Sequence, residues 1–245
     1  MRLPSATVTP RFARCGTPEF SAVESAASGH LAACRWAMLG MAADEGRIRV
    51  VLDHIEREQM RRVLVVTDRS RLPQWKQDIA TWTGRHAADG VSVVHEAVGL
   101  DKARNAELAW SCDRTLVVAN YAQMLCRAPH DASPFFFWAR TKKWDMVVAD
   151  ESHSIRGAST QSAYGLYAIG RRAESRIAMT GTPVVSGPQD LWSQYRFVDE
   201  SLLGHSYSVF LREYAIRTER AILAWRRLDM LAERIRAATF STSAA

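Results

Sequence analysis

Cysteine is scarce: four residues in 245, Cys15, Cys34, Cys112 and Cys126, with no Cys-x-x-Cys spacing among them. The absence of paired spacing argues against zinc ligation and against a disulfide framework, so all four read as free thiols of a reducing compartment. Long apolar runs are missing too. Nothing approaches the ~18 consecutive residues of a membrane span, and the N-terminus lacks the apolar stretch of a secretory signal. No membrane partner is therefore expected. Acid is in deficit, with 26 Asp and Glu against 32 Lys and Arg, a net charge of +6 and a pI near 9.4. That balance favours a polyanionic partner. Residues 1–18 contain Arg2, Arg11 and Arg14 and no acid, as a transit peptide would. Pro4, Pro10, Gly16 and Pro18 interrupt any helix there, so residues 1–30 are read as a flexible N-terminal segment.

What is present is a chain with 47% hydrophobic residues, enough for a substantial core. Residues 146–153 read Met-Val-Val-Ala-Asp-Glu-Ser-His. An apolar run entering two carboxylates suits a buried parallel strand whose acidic end emerges at the carboxyl edge of the sheet. Open α/β sheets bind ligands at that edge. There Asp150 could hold a magnesium ion, directly or through water, and Glu151 could orient or deprotonate a water. The alternative is an ordinary strand followed by a polar turn. A second apolar run, residues 175–183, ends in Thr180-Gly181-Thr182-Pro183.

Strands near Trp36, Val63, Val91, Leu116, Met146 and Arg176 alternate with helical patterns. This predicts an α/β domain, with a mainly parallel sheet, right-handed crossovers and helices on both faces. The spacing predicts a helix over residues 48–60, packing back on the sheet after a loop at 42–47. It predicts others over 75–82, 99–110 and 191–197, and a long one over 219–236 with Leu228, Leu231 and Ile235 as its apolar stripe. Residues 126–143 read as a surface loop anchored by Phe135, Phe136, Phe137 and Trp138. Residues 240–245 read as a frayed tail.

Asp-Glu-Ser-His and Thr-Gly-Thr-Pro, each closing a predicted strand, resemble motifs II and III of superfamily two helicases. The resemblance is closer to the Swi/Snf-like DNA translocases, including phage and bacterial members, and extends through residues 190–214. It covers residues 31–240, about the first of two lobes. It implies a RecA-like, P-loop-type lobe over residues 31–215, followed by a basic helix and tail over 216–245 with no second lobe in the chain. ATP and magnesium become the expected cofactors and duplex DNA the expected partner, with a separately encoded second lobe as a possible one. The implied location is intracellular, in the cytoplasm of a bacterium or a phage-infected cell. Asp150, Glu151 and His153 take the catalytic positions, and Asp150 the metal position. Thr180, Gly181 and Thr182 fall in motif III. Residues 63–75 resemble motif Ia and 115–121 motif Ib, turns that touch nucleic-acid backbone in the family. This marks Arg69, Ser70, Arg71, Asn120 and Tyr121 as phosphate-contacting candidates, with a solvated turn and a packed tyrosine as the plainer readings.

The match breaks at the phosphate loop. The family carries Gly-x-Gly-Lys-Thr; aligned from the helix side, this chain offers Asp44, Glu45, Gly46, Arg47 and Ile48. Only Gly46 fits. Asp44 and Glu45 put carboxylates beside a polyanion, Arg47 is a planar fork in place of lysine, and Ile48 has no hydroxyl for magnesium. Aligned from the strand side, Ala43-Asp44-Glu45 matches the opening of the family's loop, which is then shortened. ATP binding is accordingly expected to be poor. Three functions follow: a motor lobe with impaired turnover, a non-catalytic DNA-binding or interaction module on the same fold, and a metal-dependent hydrolase using Asp150, Glu151 and His153.

Overall fold

A computed structural model describes residues 18–85, 89–93, 101–126, 133–218 and 221–242. The first element among the described residues is a helix, α1 (Ala22–Ala33), most of it inside the segment expected to be flexible. Its start is fixed by a reciprocal cap: Ser21 Oγ accepts the Glu24 N–H at 3.2 Å, and the Glu24 carboxylate accepts the Ser21 N–H at 2.8 Å. The remainder of that segment, residues 1–17, lies outside the described residues, as does Cys15.

Six parallel strands alternate with helices as expected: β1 (Trp36–Gly40), α2 (Arg47–Arg57), β2 (Arg62–Thr67), α3 (Leu72–Thr83), β3 (Val91–Val93), α4 (Asp101–Trp110), β4 (Thr115–Asn120), α5 (Pro134–Thr141), β5 (Met146–Asp150), α6 (Gln161–Gly170) and β6 (Ser175–Met179). The first residues of the helix expected at 99–110 fall within 94–100, which lies outside the described residues. The sheet order is β3-β4-β2-β5-β6-β1, extended past β1 by a seventh strand. Each crossover inside the sheet carries a helix, which parallel pairing requires.

Two apolar cores sandwich the sheet. On one face α1, α2 and α3 bury Leu31, Val51, Ile55, Trp75 and Ile79 against Val63, Val65, Met146 and Val148. On the other, α5, α6 and the helices that follow pack on Leu64, Val66, Val147 and Ala149. The central strands are buried on both faces, which is why they read as continuous apolar runs rather than alternating ones.

Three expectations need correction. Part of the stretch read as a surface loop is helix α5: Pro134 sits in its first turn, where a missing N–H does no harm, and Phe135 and Phe136 are buried. Residues 127–132 of that stretch lie outside the described residues. After α7 (Gln189–Val198), α8 (Glu200–Leu203) and α9 (Tyr207–Tyr214), the long helix expected over 219–236 is instead an antiparallel hairpin and a shorter helix. The hairpin joins β7 (Ala215–Arg217) to β8 (Ile222–Trp225), and the helix is α10 (Leu228–Arg236). Between them Arg227 adopts a left-handed conformation, φ 55°, which no helix carries. The hairpin pairs Ile216 with Ala224 and Ala215 with Trp225. Residues 219–220 lie outside the described residues.

The supposed tail contributes β9 (Thr239–Ser241), which adds to the sheet parallel to β1, with Leu39 opposite Phe240. The Met38 N–H donates to the Ala238 carbonyl at 2.7 Å, and Thr242 N–H to Gly40 at 3.1 Å. Residues 239–241 therefore extend the same sheet, while β7 and β8 form a two-stranded sheet of their own; 243–245 lie outside the described residues. Among the described residues, no helix is long and apolar enough to cross a membrane.

Candidate nucleotide site and nucleic-acid edge

Parallel register brings the carboxyl ends of β2, β5, β6 and β1 side by side, and the candidate residues cluster there. Asp150 ends β5 and is fully buried. Four donors surround its carboxylate. On one oxygen, Thr67 Oγ1 donates at 2.7 Å and Trp75 Nε1 at 2.8 Å. The other accepts the Glu151 N–H at 3.0 Å and faces Arg47 Nη2, also at 3.0 Å. A carboxylate offers about four acceptor directions, so the chain itself uses what Asp150 has. Tyr121 Oη donates to the Asp150 backbone carbonyl at 2.7 Å. Burial first, and then the carboxylates of Asp150, Asp68 and Glu151, raise the Tyr121 phenol well above its ordinary pKa.

Glu151 leaves the strand with φ 51° and ψ 50°, a left-handed conformation uncommon outside glycine, asparagine and aspartate. That turn swings its carboxylate against Arg47 Nη2, with Arg71 Nε at 3.7 Å and His153 Nδ1 at 3.5 Å. His153 also meets Thr180 Oγ1 at 3.0 Å, so motifs II and III touch directly. Gly181 and Thr182 follow in an exposed turn.

Arg47 is the first residue of α2 and only 1% exposed. Gly46 caps that helix with φ 79°, and a Cβ there would fall 2.3 Å from the Glu24 carboxylate of α1, so glycine is required. Arg47 Nη1 donates to the Met41 carbonyl at 2.9 Å while Nη2 lies between Asp150 and Glu151. The loop is held closed from inside: Glu45 Oε2 accepts the Ala42 N–H at 2.6 Å and the Thr242 hydroxyl at 2.8 Å.

At the nucleic-acid edge, Arg69 and Ser70 are exposed on a 3-10 turn, Arg69–Arg71, that leads into α3. Arg71 turns inward toward Glu151, and its Nε and Nη2 have no hydrogen-bond partner among the described residues. Asn120 and Tyr121 are buried, and Tyr121 is bonded to the end of β5. Among the described residues, no three His, Cys, Asp or Glu side chains are grouped to hold a metal.

The sequence did not single out Thr67, Trp75 or Thr242. Thr67 was visible only as the end of a strand; Trp75 read as a core residue at helical spacing, and Thr242 as tail.

With this geometry the comparisons with known proteins agree. The SNF2-related domain matches residues 36–238. The chain belongs to the SNF2-related family. The mouse DNA excision repair protein ERCC-6-like is 32% identical over 152 residues, 62% of this chain and 12% of that protein. The Arabidopsis thaliana DNA repair protein RAD5A is 28% identical over 135 residues, 55% of this chain and again 12% of the relative. The chain thus spans about an eighth of these relatives. Among solved structures, the Sulfolobus solfataricus SWI2/SNF2 ATPase core in complex with dsDNA superposes with a TM-score of 0.75 at 19% identity, covering 96% of this chain and 46% of that one. The UvsW helicase of bacteriophage T4 superposes with a TM-score of 0.53 at 13% identity, over 74% of this chain and 58% of its own. At these identities the two structures establish the fold, a RecA-like SNF2 lobe.

Proposed function

We propose that the chain acts as the first lobe of a SNF2-type motor on duplex DNA, with its own ATP turnover impaired. The observation that carries this reading is the pairing of a well-formed acidic turn, Asp150-Glu151 linked through His153 to Thr180, with a phosphate loop that has only Gly46 in place. In the motor, ATP would engage Gly46, Arg47 and the motif III turn Thr180-Gly181-Thr182. A second RecA-like lobe, supplied by another chain or another part of the same protein, would close over them. Arg69 and Ser70 would contact DNA phosphates, because both are exposed at the edge where the strands end. Arg71, Asn120 and Tyr121 would support that turn from beneath. The action proposed is on DNA inside a cell, which the DNA-repair names of the relatives support.

The test is fluorescence anisotropy with duplex DNA across a salt series, run beside a DNA-stimulated ATP hydrolysis assay. Binding should weaken linearly with log salt. Arg69→Ala should lower the slope by about one phosphate's worth, ~0.9, and hydrolysis should stay at background. Turnover that rises with DNA would remove the impairment. Absence of DNA binding would favour the second reading, a non-catalytic protein-interaction module. The occupied acceptors of Asp150 give that reading its support.

A further inference from the structure

The geometry points to Arg47 as the resident cation of the acidic centre, standing where a divalent metal would, with Glu45 as the resident anion of the phosphate loop. This deepens the reading of impaired turnover and rests on it.

The first half follows from how Asp150 and Glu151 are satisfied. Magnesium needs near-octahedral oxygen ligands at ~2.0–2.1 Å and keeps several waters. Asp150 has no exposed surface to admit those waters, and its carboxylate already meets Thr67, Trp75, the Glu151 N–H and Arg47. The space between the two carboxylates holds the Arg47 guanidinium, and a dication placed there would face a like charge at contact distance. The arrangement present does not fit magnesium. It does fit a planar cation: one nitrogen reaches both carboxylates and the second is anchored on the Met41 carbonyl.

The second half concerns the loop. A phosphate cradle works by offering backbone N–H groups to an anion. Here the Ala42 N–H is already taken by the Glu45 carboxylate at 2.6 Å, which is held in turn by Thr242 from the end of β9. A carboxylate and a guanidinium of the chain itself thus fill the anionic and cationic positions of a nucleotide site. Thr242 makes the closure depend on the last strand of the sheet.

The experiment uses Mn2+ as a paramagnetic probe on the whole chain, without nucleotide or DNA, reading free Mn2+ by electron paramagnetic resonance. Wild-type protein should leave the Mn2+ signal as the Asp150→Asn variant leaves it. Arg47→Ala opens the space between two carboxylates, and it should bind Mn2+ at least ~10-fold more tightly than wild type, about 1.4 kcal/mol. Adding Asp150→Asn to that variant should abolish the gain. Should Arg47→Ala fail to fold, the wild-type protein decides the matter in a thermal melt with millimolar MgCl2 against KCl of equal ionic strength. No magnesium-specific rise in Tm supports Arg47 as resident cation, since a bound metal would stabilise by linkage. Wild-type Mn2+ binding that Asp150→Asn removes, an Asp150-dependent Tm rise, or a folded Arg47→Ala that gains no affinity overturns it. None of these readouts involves ATP turnover or DNA, so the reading of impaired turnover stands or falls separately.

Discussion

His153 Nδ1 lies 3.0 Å from Thr180 Oγ1, and the same hydroxyl accepts the Thr182 N–H at 3.1 Å. One buried hydroxyl therefore ties the turn after β5 to the turn after β6. Thr180→Val keeps the shape and removes both hydrogen bonds. It should lower stability by about 0.5–1.5 kcal/mol per hydrogen bond lost, the net value, since His153 and Thr182 both keep access to solvent. Urea denaturation measures this, and Thr180→Ser, which restores the hydroxyl, should recover most of the loss.

The contact between α6 and the turn after β4 is as close as backbone permits. A Cβ on Gly165 would sit 2.0 Å from the Met124 carbonyl oxygen. Helix propensity alone would make Gly165→Ala stabilising by ~1 kcal/mol. Steric overlap with backbone reverses the sign, and we expect a net loss of about 1–3 kcal/mol. A chemical-denaturation midpoint that rises instead would mean that α6 can shift outward without penalty.

The last strand should matter to the whole sheet. Deleting residues 237–245 removes the Met38–Ala238 and Thr242–Gly40 backbone bonds, the Tyr195–Thr239 bond at 2.6 Å and the Thr242 clamp on Glu45. At ~0.5–1.5 kcal/mol for each net hydrogen bond, the truncated chain should lose a few kcal/mol. Its β1 amides should also exchange faster with solvent. A frayed tail would change neither.

The alternation of strand and helix was legible because the central strands are buried on both faces and declare themselves as unbroken apolar runs. The same logic hid β9. Its residues, Thr239, Phe240 and Ser241, occupy an edge and are only partly buried, so they have no such run to show. The hairpin of β7 and β8 was hidden because Ile222 and Trp225, three residues apart, also fit a helical stripe. At the site, Asp150, Glu151 and His153 announced themselves as a motif, and the defective loop was plain from its carboxylates. That Arg47 turns inward to those carboxylates was not legible. An arginine at a helix start faces solvent as readily as it faces a partner 104 residues away, and only the register of β1 against β6, and of β6 against β5, makes the choice.

Trp75 offers a finer probe of the acidic centre. Its indole N–H donates to Asp150 at 2.8 Å while its ring is fully buried beneath α3. Trp75→Phe retains most of the ring and removes the donor, so Asp150 loses one of four partners. Hydrogen bonds to charged groups contribute about 1.5–3 kcal/mol, and the variant should lose that much plus a smaller packing term. Adding Arg47→Met to form a double-mutant cycle should give a coupling of ~0.5–3 kcal/mol, since both residues act on one carboxylate. Strict additivity would mean that Asp150 is satisfied by its other partners regardless of Arg47.

Stability should also fall on mild acidification through His54. The imidazole is buried on α2, and that burial lowers its pKa below the ordinary 6.5; nearby Glu58 opposes the shift and Arg57 adds to it. The folded protein thus prefers neutral His54, whereas the unfolded chain protonates it near the ordinary value. The unfolded state then binds more protons as pH drops below about 6.5, so the stabilisation is whole above that pH and is lost as pH falls toward the depressed folded-state value. His30, half-buried on α1, is shifted in the same direction by its burial and adds to the slope. Urea midpoints between pH 7.5 and 5 should decline, and His54→Gln should flatten the decline without removing the part that His30 supplies. An unchanged slope in His54→Gln would assign the acid sensitivity to carboxylates, whose effect on stability lies mainly below that range.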